Sequence, residues 1–247
     1  MDIKSTYHTY LVNKDKDKTR EPNKFHASSA GVCYLKQMYS IFDFEESKID
    51  DRLHRIFRIG NMIHEDIQKS LILSKDEING DLYIEEPIEI PMYNLVGTYD
   101  VGQKDNDIFN LYDIKTTAAW TWTKMFGHAR NRIRGTGDNY KMQIATYGIG
   151  IQEQHDLSQL NMYLLYYKKD SSHWKEIPIS DEWIEKAHLY WQELNEIYEN
   201  YGKAFEEELR PDWHFGVPFN KQECSYCNFY HICPSKLAPK RNKKNEE

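Results

Sequence analysis

No stretch of this 247-residue chain approaches the roughly eighteen consecutive apolar residues of a membrane-spanning helix. The opening residues, MDIKSTYHTYLVNKDKDK, lack the apolar core of a secretory signal. A cytoplasmic protein with no membrane association is therefore expected. Cysteine is scarce, with four residues of which three are crowded near the end, too uneven for a disulfide scaffold. Glycine and proline, at 12 and 8, are too sparse for a fibrous or low-complexity chain. There is no internal repeat and no GxxxxGK[ST] loop for nucleotide phosphates, so any unwinding of a nucleic acid must come from a partner. Positive charge is also in deficit. Lys and Arg number 32 against 39 Asp and Glu, a net charge of −7. That argues against a broad basic face, though a net charge describes the average field and not one groove.

What is present is a soluble, aromatic-rich composition, 29% charged and 14% aromatic with 18 tyrosines, in a chain long enough to bury its own core. Residues 1–27 read as a polar, weakly patterned arm, 28–236 as a single domain and 237–247 as a basic tail. From Ser28 to Phe44 the pattern reads as a short serine-capped helix carrying Cys33. Over 48–72, Ile49, Leu53, Ile56, Ile63, Ile67 and Leu71 recur at three- and four-residue steps, predicting a long helix. The period then shortens to that of strands in LYIEEPIEIP, LVGTYDVG and IFNLYDIKT. A helix over 138–150, the strand pair NMYLLYYKK and HWKEIPI, and an acidic amphipathic helix over 181–208 follow. This order predicts an α/β fold with a mixed sheet flanked by helices. Basic residues gather at Lys124, Arg130, Arg132 and Arg134, beside Trp120 and Trp122. These tryptophans can stack on unpaired bases, although core packing is the commoner fate of an indole.

Within GTYDVGQKDNDIFNLYDIKTT, a two-residue turn at Asn106-Asp107 would place Asp100 opposite Asp113, with Cβ atoms about 4.5–5.5 Å apart. Lys115 then shares the Asp113 face. Two carboxylates so close repel unless a cation lies between them, and a divalent ion with oxygen ligands fits. The bland alternative is a solvated hairpin with ordinary aspartates. Gly60 lies one turn before His64 and would let that helix face approach a neighbour closely, where His64 can complete a metal site. Gln143 and Tyr147 share a helix face at i, i+4.

The segment CSYCNFYHICP places Cys224, Cys227, His231 and Cys233 together. These four can form a local zinc site that leaves Cys33 free, although one residue between His231 and Cys233 is tight for two ligands on one ion. Alternatively Cys33 joins the three C-terminal cysteines in an iron–sulfur or zinc site, with disulfides the least suited reading.

In order along the chain, Gly60…His64, Gly97-Thr-Tyr-Asp100, Asp113-Ile-Lys115-Thr116 and Gln143…Tyr147 resemble the motif series of RecB-type nucleases of the PD-(D/E)XK superfamily. Cys33 with Cys-x2-Cys-x5-Cys near the end resembles their iron–sulfur subgroup, which includes AddB-type nuclease domains, CRISPR-associated RecB-like nucleases and phage relatives. The resemblance spans residue 28 to the C-terminus and implies a restriction-endonuclease-like fold whose terminal segments are joined by a metal-cluster clasp. It implies that His64, Asp100, Asp113 and the Ile114 carbonyl bind Mg²⁺ or Mn²⁺, that Lys115 is catalytic, and that Gln143 and Tyr147 border the active site and DNA. It assigns a [4Fe–4S] cluster, or Zn²⁺ as the alternative, to Cys33, Cys224, Cys227 and Cys233. Asp113 stands where many relatives carry Glu. The implied activity is metal-dependent exonuclease action on single-stranded DNA or DNA ends, with recombination, helicase or CRISPR adaptation proteins as partners, in a bacterial cell or phage-infected host. The other reading is a non-catalytic iron–sulfur or zinc nucleic-acid-binding subunit.

Overall fold

The computed structural model describes residues 2–16, 21, 23–48, 50–207 and 221–233. Ile49 and the basic tail lie outside them. In chain order the elements are α1 (Ile3–Lys16), β1 (Phe25–His26), α2 (Tyr34–Ile41), α3 (Asp51–Leu73), β2 (Asp81–Ile90), β3 (Leu95–Asp105) and β4 (Ile108–Thr117). There follow α4 (Ala119–Phe126), α5 (Asp138–Gln154), β5 (Gln159–Lys168), β6 (Trp174–Ile179), α6 (Glu182–Glu206) and a 3-10 turn, Lys221–Tyr226. Among the described residues no helix is long and apolar enough to cross a membrane.

The sheet is mixed, as the strand and helix order predicts. Its path is β1-β3-β4-β5-β6, and β2 lies on the other edge of β3. β3 pairs antiparallel with β2 along nearly its whole length, from Leu95↔Ile90 to Lys104↔Asp81. Its opposite edge is shared. β4 pairs antiparallel with it from Asp105↔Ile108 to Val101↔Tyr112, and β1 pairs parallel at Leu95 and Val96. The sheet therefore forks between Val96 and Val101. β4 and β5 run parallel through ten pairs, joined by the α4–α5 crossover that a parallel pair requires.

Alternation along β4 sorts its side chains between two faces. Phe109 and Leu111 are buried in the main core with Met142, Ile144 and Trp191 of α5 and α6. Ile108, Asn110, Tyr112 and Ile114 line a groove of about 710 Å³ under α3, closed by Ile67 and Leu71. Helices thus cover both faces, with α5 and α6 on one and α3 on the other.

Several elements differ from the sequence expectation. The N-terminal arm contains a helix, α1, docked on α3 through buried Leu11 and through His8, whose Nε2 lies 3.1 Å from Asp51 Oδ1. α2 begins at Tyr34, with Cys33 at its N-cap and no side-chain cap. The expected serine cap is absent because the Ser29 hydroxyl bonds the His26 carbonyl and Gln37 Oε1 instead. On α3 the buried side chains are His54 and Gln68, while Leu53 is exposed. α4 is an eight-residue helix that the sequence reading left unassigned.

Candidate active site

The Asn106-Asp107 turn has two residues, since Asp105 pairs with Ile108. Continuing that register puts Asp100 opposite Asp113, at the fork where β3 and β4 part. Beyond Val101↔Tyr112 the fork is bridged by a side chain: Asp100 Oδ2 accepts the Ile114 amide at 2.6 Å. Asp113 is 1% exposed and Lys115 shares its face. Lys115 Nζ donates to Asp113 Oδ1 at 2.9 Å and lies 2.6 Å from Oδ2. The second approach is out of line for a hydrogen bond, so Asp113 Oδ2 is ion-paired without accepting one.

α3 closes the fork from the other side. A Cβ at Gly60 would lie 3.1 Å from Thr116 Oγ1, so glycine allows the close approach of helix and strand. One turn later His64 Nδ1 comes within 3.6 Å of Asp100 Oδ2. Gly97, at the start of GTYD, is also a packing requirement. A Cβ there would meet Ala27 Cβ at 2.8 Å and the Tyr147 ring at 2.9 Å. Gly97→Val is expected to destabilise the fold by about 1–3 kcal/mol, read from denaturant midpoints, because neither neighbour is a flexible tip.

On the α5 side, Gln143 Nε2 donates to the Tyr147 hydroxyl at 3.0 Å. Burial raises the Tyr147 phenol, and the charges of Asp113, Asp100 and Glu85 add to the rise, so it stays neutral. Tyr140, one turn before Gln143, lies under Lys115 with Nζ 5.3 Å from the ring centroid. The structure therefore gathers His64, Asp100, Asp113, Ile114, Lys115, Gln143 and Tyr147 around one fork. The sequence reading missed Gln68 and Glu85. Gln68 bonds Glu85 Oε1 and the Asp100 carbonyl. Glu85 falls opposite Asp100, between the pairs Ile84↔Val101 and Glu86↔Tyr99, in a left-handed conformation with φ 51°. The signal for Gln68 was its i+4 spacing from His64. Glu85 had none, because its place depends on the β2–β3 register.

Burial is the leading electrostatic effect. It raises both Asp100 and Asp113 to about 6, against the pull of Lys115. Burial also pulls the Lys115 ammonium down, but Asp113 and Asp100 outweigh it and its pKa is raised. Burial, then Lys115, lowers His64, leaving a neutral imidazole. A carboxyl raised in the folded state stabilises most below its unfolded value, about 3.9, and that stability is lost as pH rises through about 6. In EDTA the melting temperature should therefore fall between pH 4 and 6.5. Mn²⁺ should reverse the trend above pH 6, where it replaces the proton. A pH series of thermal melts with and without Mn²⁺ checks both arms.

The second cluster lies at the chain ends. The Cys33 amide points at both Glu223 carboxylate oxygens, 3.2 Å from each. Ser47 donates its amide and hydroxyl to the Asn228 carbonyl at 2.9 and 2.7 Å. Phe229 is buried against Tyr39, with ring centroids 5.4 Å apart. These contacts join the two terminal segments, with Lys36 Nζ 3.9 Å from Glu223 and Asn228 Nδ2 donating to Glu46 at 2.8 Å. All four cysteines are half-buried and none is in a disulfide. Burial pushes the Cys33 thiol up to about 12, with Glu223 and Cys227 adding to the rise. Cys233 acts in the same way on Cys224 and Cys227, so the four sulfurs form one electrostatically linked set. His231 is exposed. Among the described residues no group of three or more His, Cys, Asp or Glu side chains, at either cluster, is placed to hold a metal ion.

The fold has solved counterparts. The crystal structure of SSO0001 superposes with a TM-score of 0.57 at 16% identity, covering 96% of this chain and 98% of that one. A protein from Eubacterium rectale, provisionally assigned as an exonuclease, gives 0.47 at 15% identity over 83% of this chain and 87% of its own. An alkaline exonuclease from Laribacter hongkongensis gives 0.39 at 14% identity over 76% and 95%. The first is a likeness of fold, and the other two are too distant to weigh. No family model matches the sequence, and no curated protein matches it significantly.

Proposed function

We propose that the protein is a metal-dependent deoxyribonuclease of the PD-(D/E)XK type, an exonuclease on single-stranded DNA or DNA ends. The observation that carries this reading is the pair of buried Asp113 and part-buried Asp100 at a fork in the sheet, with the Lys115 ammonium against Asp113. His64, Asp100, Asp113 and the Ile114 carbonyl would hold Mg²⁺ or Mn²⁺. The donor chemistry fits: two carboxylates and a carbonyl are hard oxygen ligands, a neutral imidazole offers one nitrogen lone pair, and Asp113 Oδ2 accepts no hydrogen bond. When bound, the ion supplies a water of lowered pKa and neutralises charge on the phosphoryl oxygens.

The chain's own groups do the rest. Lys115 stays an ammonium at neutral pH, so its role is to offset the charge that builds on phosphate oxygens, not to act as a base. The Tyr147 hydroxyl holds the Gln143 amide in place, which leaves the Gln143 carbonyl and one N–H free to orient a phosphate or water. The test is cleavage of end-labelled single-stranded and duplex DNA with Mn²⁺, Mg²⁺ or EDTA, for the wild type and Asp113→Ala. Wild type that cuts nothing with metal, or Asp113→Ala that cuts as well, defeats the reading.

The same reading assigns a [4Fe–4S] cluster to Cys33, Cys224, Cys227 and Cys233, with Zn²⁺ the alternative. The support is the electrostatic linkage of the four thiols and the exposure of His231. A thiol pushed up to about 12 is a poor nucleophile, so Cys33 suits a metal ligand, deprotonated on binding, better than a catalytic residue.

A further inference from the structure

Beyond the carboxylates, the fold builds a second surface that the candidate active site does not use. β4 leaves Lys115 and runs directly into α4, so Trp120 lies five residues past Lys115, within about 18 Å at full extension. The two tryptophans of α4 have separate fates. Trp122 packs on Phe126 at 4.9 Å and Phe126 on Tyr166 at 5.0 Å. Tyr166 in turn meets Tyr140, the ring under Lys115. This aromatic ladder fixes α4 beside the catalytic lysine. Trp120 takes no part in it. Its indole is 57% exposed, with Lys124 Nζ 5.5 Å from the ring centroid.

Three segments that pack together at α4 carry basic side chains, and Lys124 is the one placed against the indole. The loop after α4 folds back on it, as the Ile133 amide donates to the Lys124 carbonyl and Arg132 Nε to the Gly127 carbonyl. That loop leaves Arg130, Arg132 and Arg134 exposed. The β5–β6 hairpin adds Lys169, whose amide bonds the Thr117 carbonyl, and Lys175, over the Phe126 ring at 5.3 Å. Two nearby carboxylates pair with other lysines, Asp138 with Lys141 and Asp170 with Lys168, and Glu176, next to Lys175, lines the groove under α3 on the opposite face of the sheet. None of the six basic residues is ion-paired with a described carboxylate. On a protein of net charge −7, this is a local excess of uncompensated positive charge around an exposed indole.

We propose that α4, the loop that follows it and the β5–β6 hairpin form a docking strip for single-stranded DNA. In it Trp120 stacks on an unpaired base, and the basic side chains hold the backbone as it approaches Lys115. The proposal rests on the nuclease reading for the direction of approach. A single strand is favoured over a duplex because the exposed indole needs an unstacked base face, and α4, pinned by its aromatic ladder, is not free to enter a groove.

The test measures anisotropy of a fluorescein-labelled oligonucleotide in EDTA, where cleavage does not intervene, using the full chain. Trp120→Ala is expected to weaken single-strand binding five-fold or more with an unchanged salt slope, and Trp120→Phe to stay within two-fold of wild type. Arg130→Ala/Arg134→Ala should flatten the slope of log affinity against log salt by roughly 1.4. Thermal melts check that the exposed substitutions leave the fold intact. The strip is overturned if Trp120→Ala and the double arginine variant both bind within two-fold of wild type. It is also overturned if a duplex binds as tightly as the single strand and Trp120→Ala changes neither. A wild type that never cleaves DNA defeats the nuclease reading, yet a Trp120-dependent single-strand affinity would still establish the strip.

Discussion

Asp113→Ala should lower metal-dependent DNA cleavage by about 10³-fold or more and destabilise the metal-free protein at the same time. The two effects have one cause. Asp113 is buried and is the direct partner of Lys115, whose side chain is only 15% exposed. Removing the carboxylate leaves an ammonium in the interior with Asp100 as its remaining nearby anion. Breaking a buried pair from one side costs about 3–5 kcal/mol. Replacing both partners with neutral groups of similar volume should be nearly neutral for stability. Asp113→Asn/Lys115→Met is therefore expected to recover most of the melting temperature lost in Asp113→Ala, and none of the cleavage. Denaturation and end-labelled cleavage on the same preparations separate the outcomes. A double variant as unstable as Asp113→Ala would mean that the pair is held by something other than its mutual charge.

With the proposed iron–sulfur cluster, protein purified without oxygen should be brown, and Cys33→Ala and Cys233→Ala should each bleach that colour and lower the melting temperature on the order of 10 °C. Joining Cys33 to the C-terminal cysteines closes nearly the whole chain, which by loop-closure entropy is worth roughly 4–5 kcal/mol. The Phe229, Asn228 and Glu223 contacts already supply part of that closure, so the loss on removing one ligand should fall short of the whole. Phe229→Ala is the contrasting case. It should cost about 3–5 kcal/mol by opening a cavity against Tyr39, yet keep the colour until the fold melts, because it removes no sulfur. Elemental analysis completes the test. Colourless wild type carrying zinc would overturn the iron assignment and leave the clasp itself intact.

The candidate site was legible to an unusual depth because most of it is local. A two-residue turn sets the pairing of Asp100 with Asp113, and the pleat puts Lys115 on the Asp113 face; both are counting rules with a period of two. Gly60 and His64 followed from the helical period in the same way. Which face of α3 is buried was not legible in the sequence. The apolar repeat predicted the helix and carried no statement of its buried face: the helix buries His54 and Gln68 and leaves Leu53 to solvent, because it covers the edge of a site and not the centre of a core.

The sequence by itself determined the mixed α/β class, the β3–β4 register and the list of candidate ligands. Those depend on turn length and on side-chain periods, which are properties of neighbours in the chain. Tertiary structure alone decided the rest. It split the sheet at Asp100, brought Glu85 opposite it, seated Cys33 beside Glu223 and Cys227, and separated exposed Trp120 from packed Trp122. It also carried Lys169 to the end of β4 and Lys175 over the Phe126 ring of α4. Each of these joins segments far apart in sequence. Their meeting is fixed by how helices and strands close-pack around a common core, a property of the whole chain that no local period encodes.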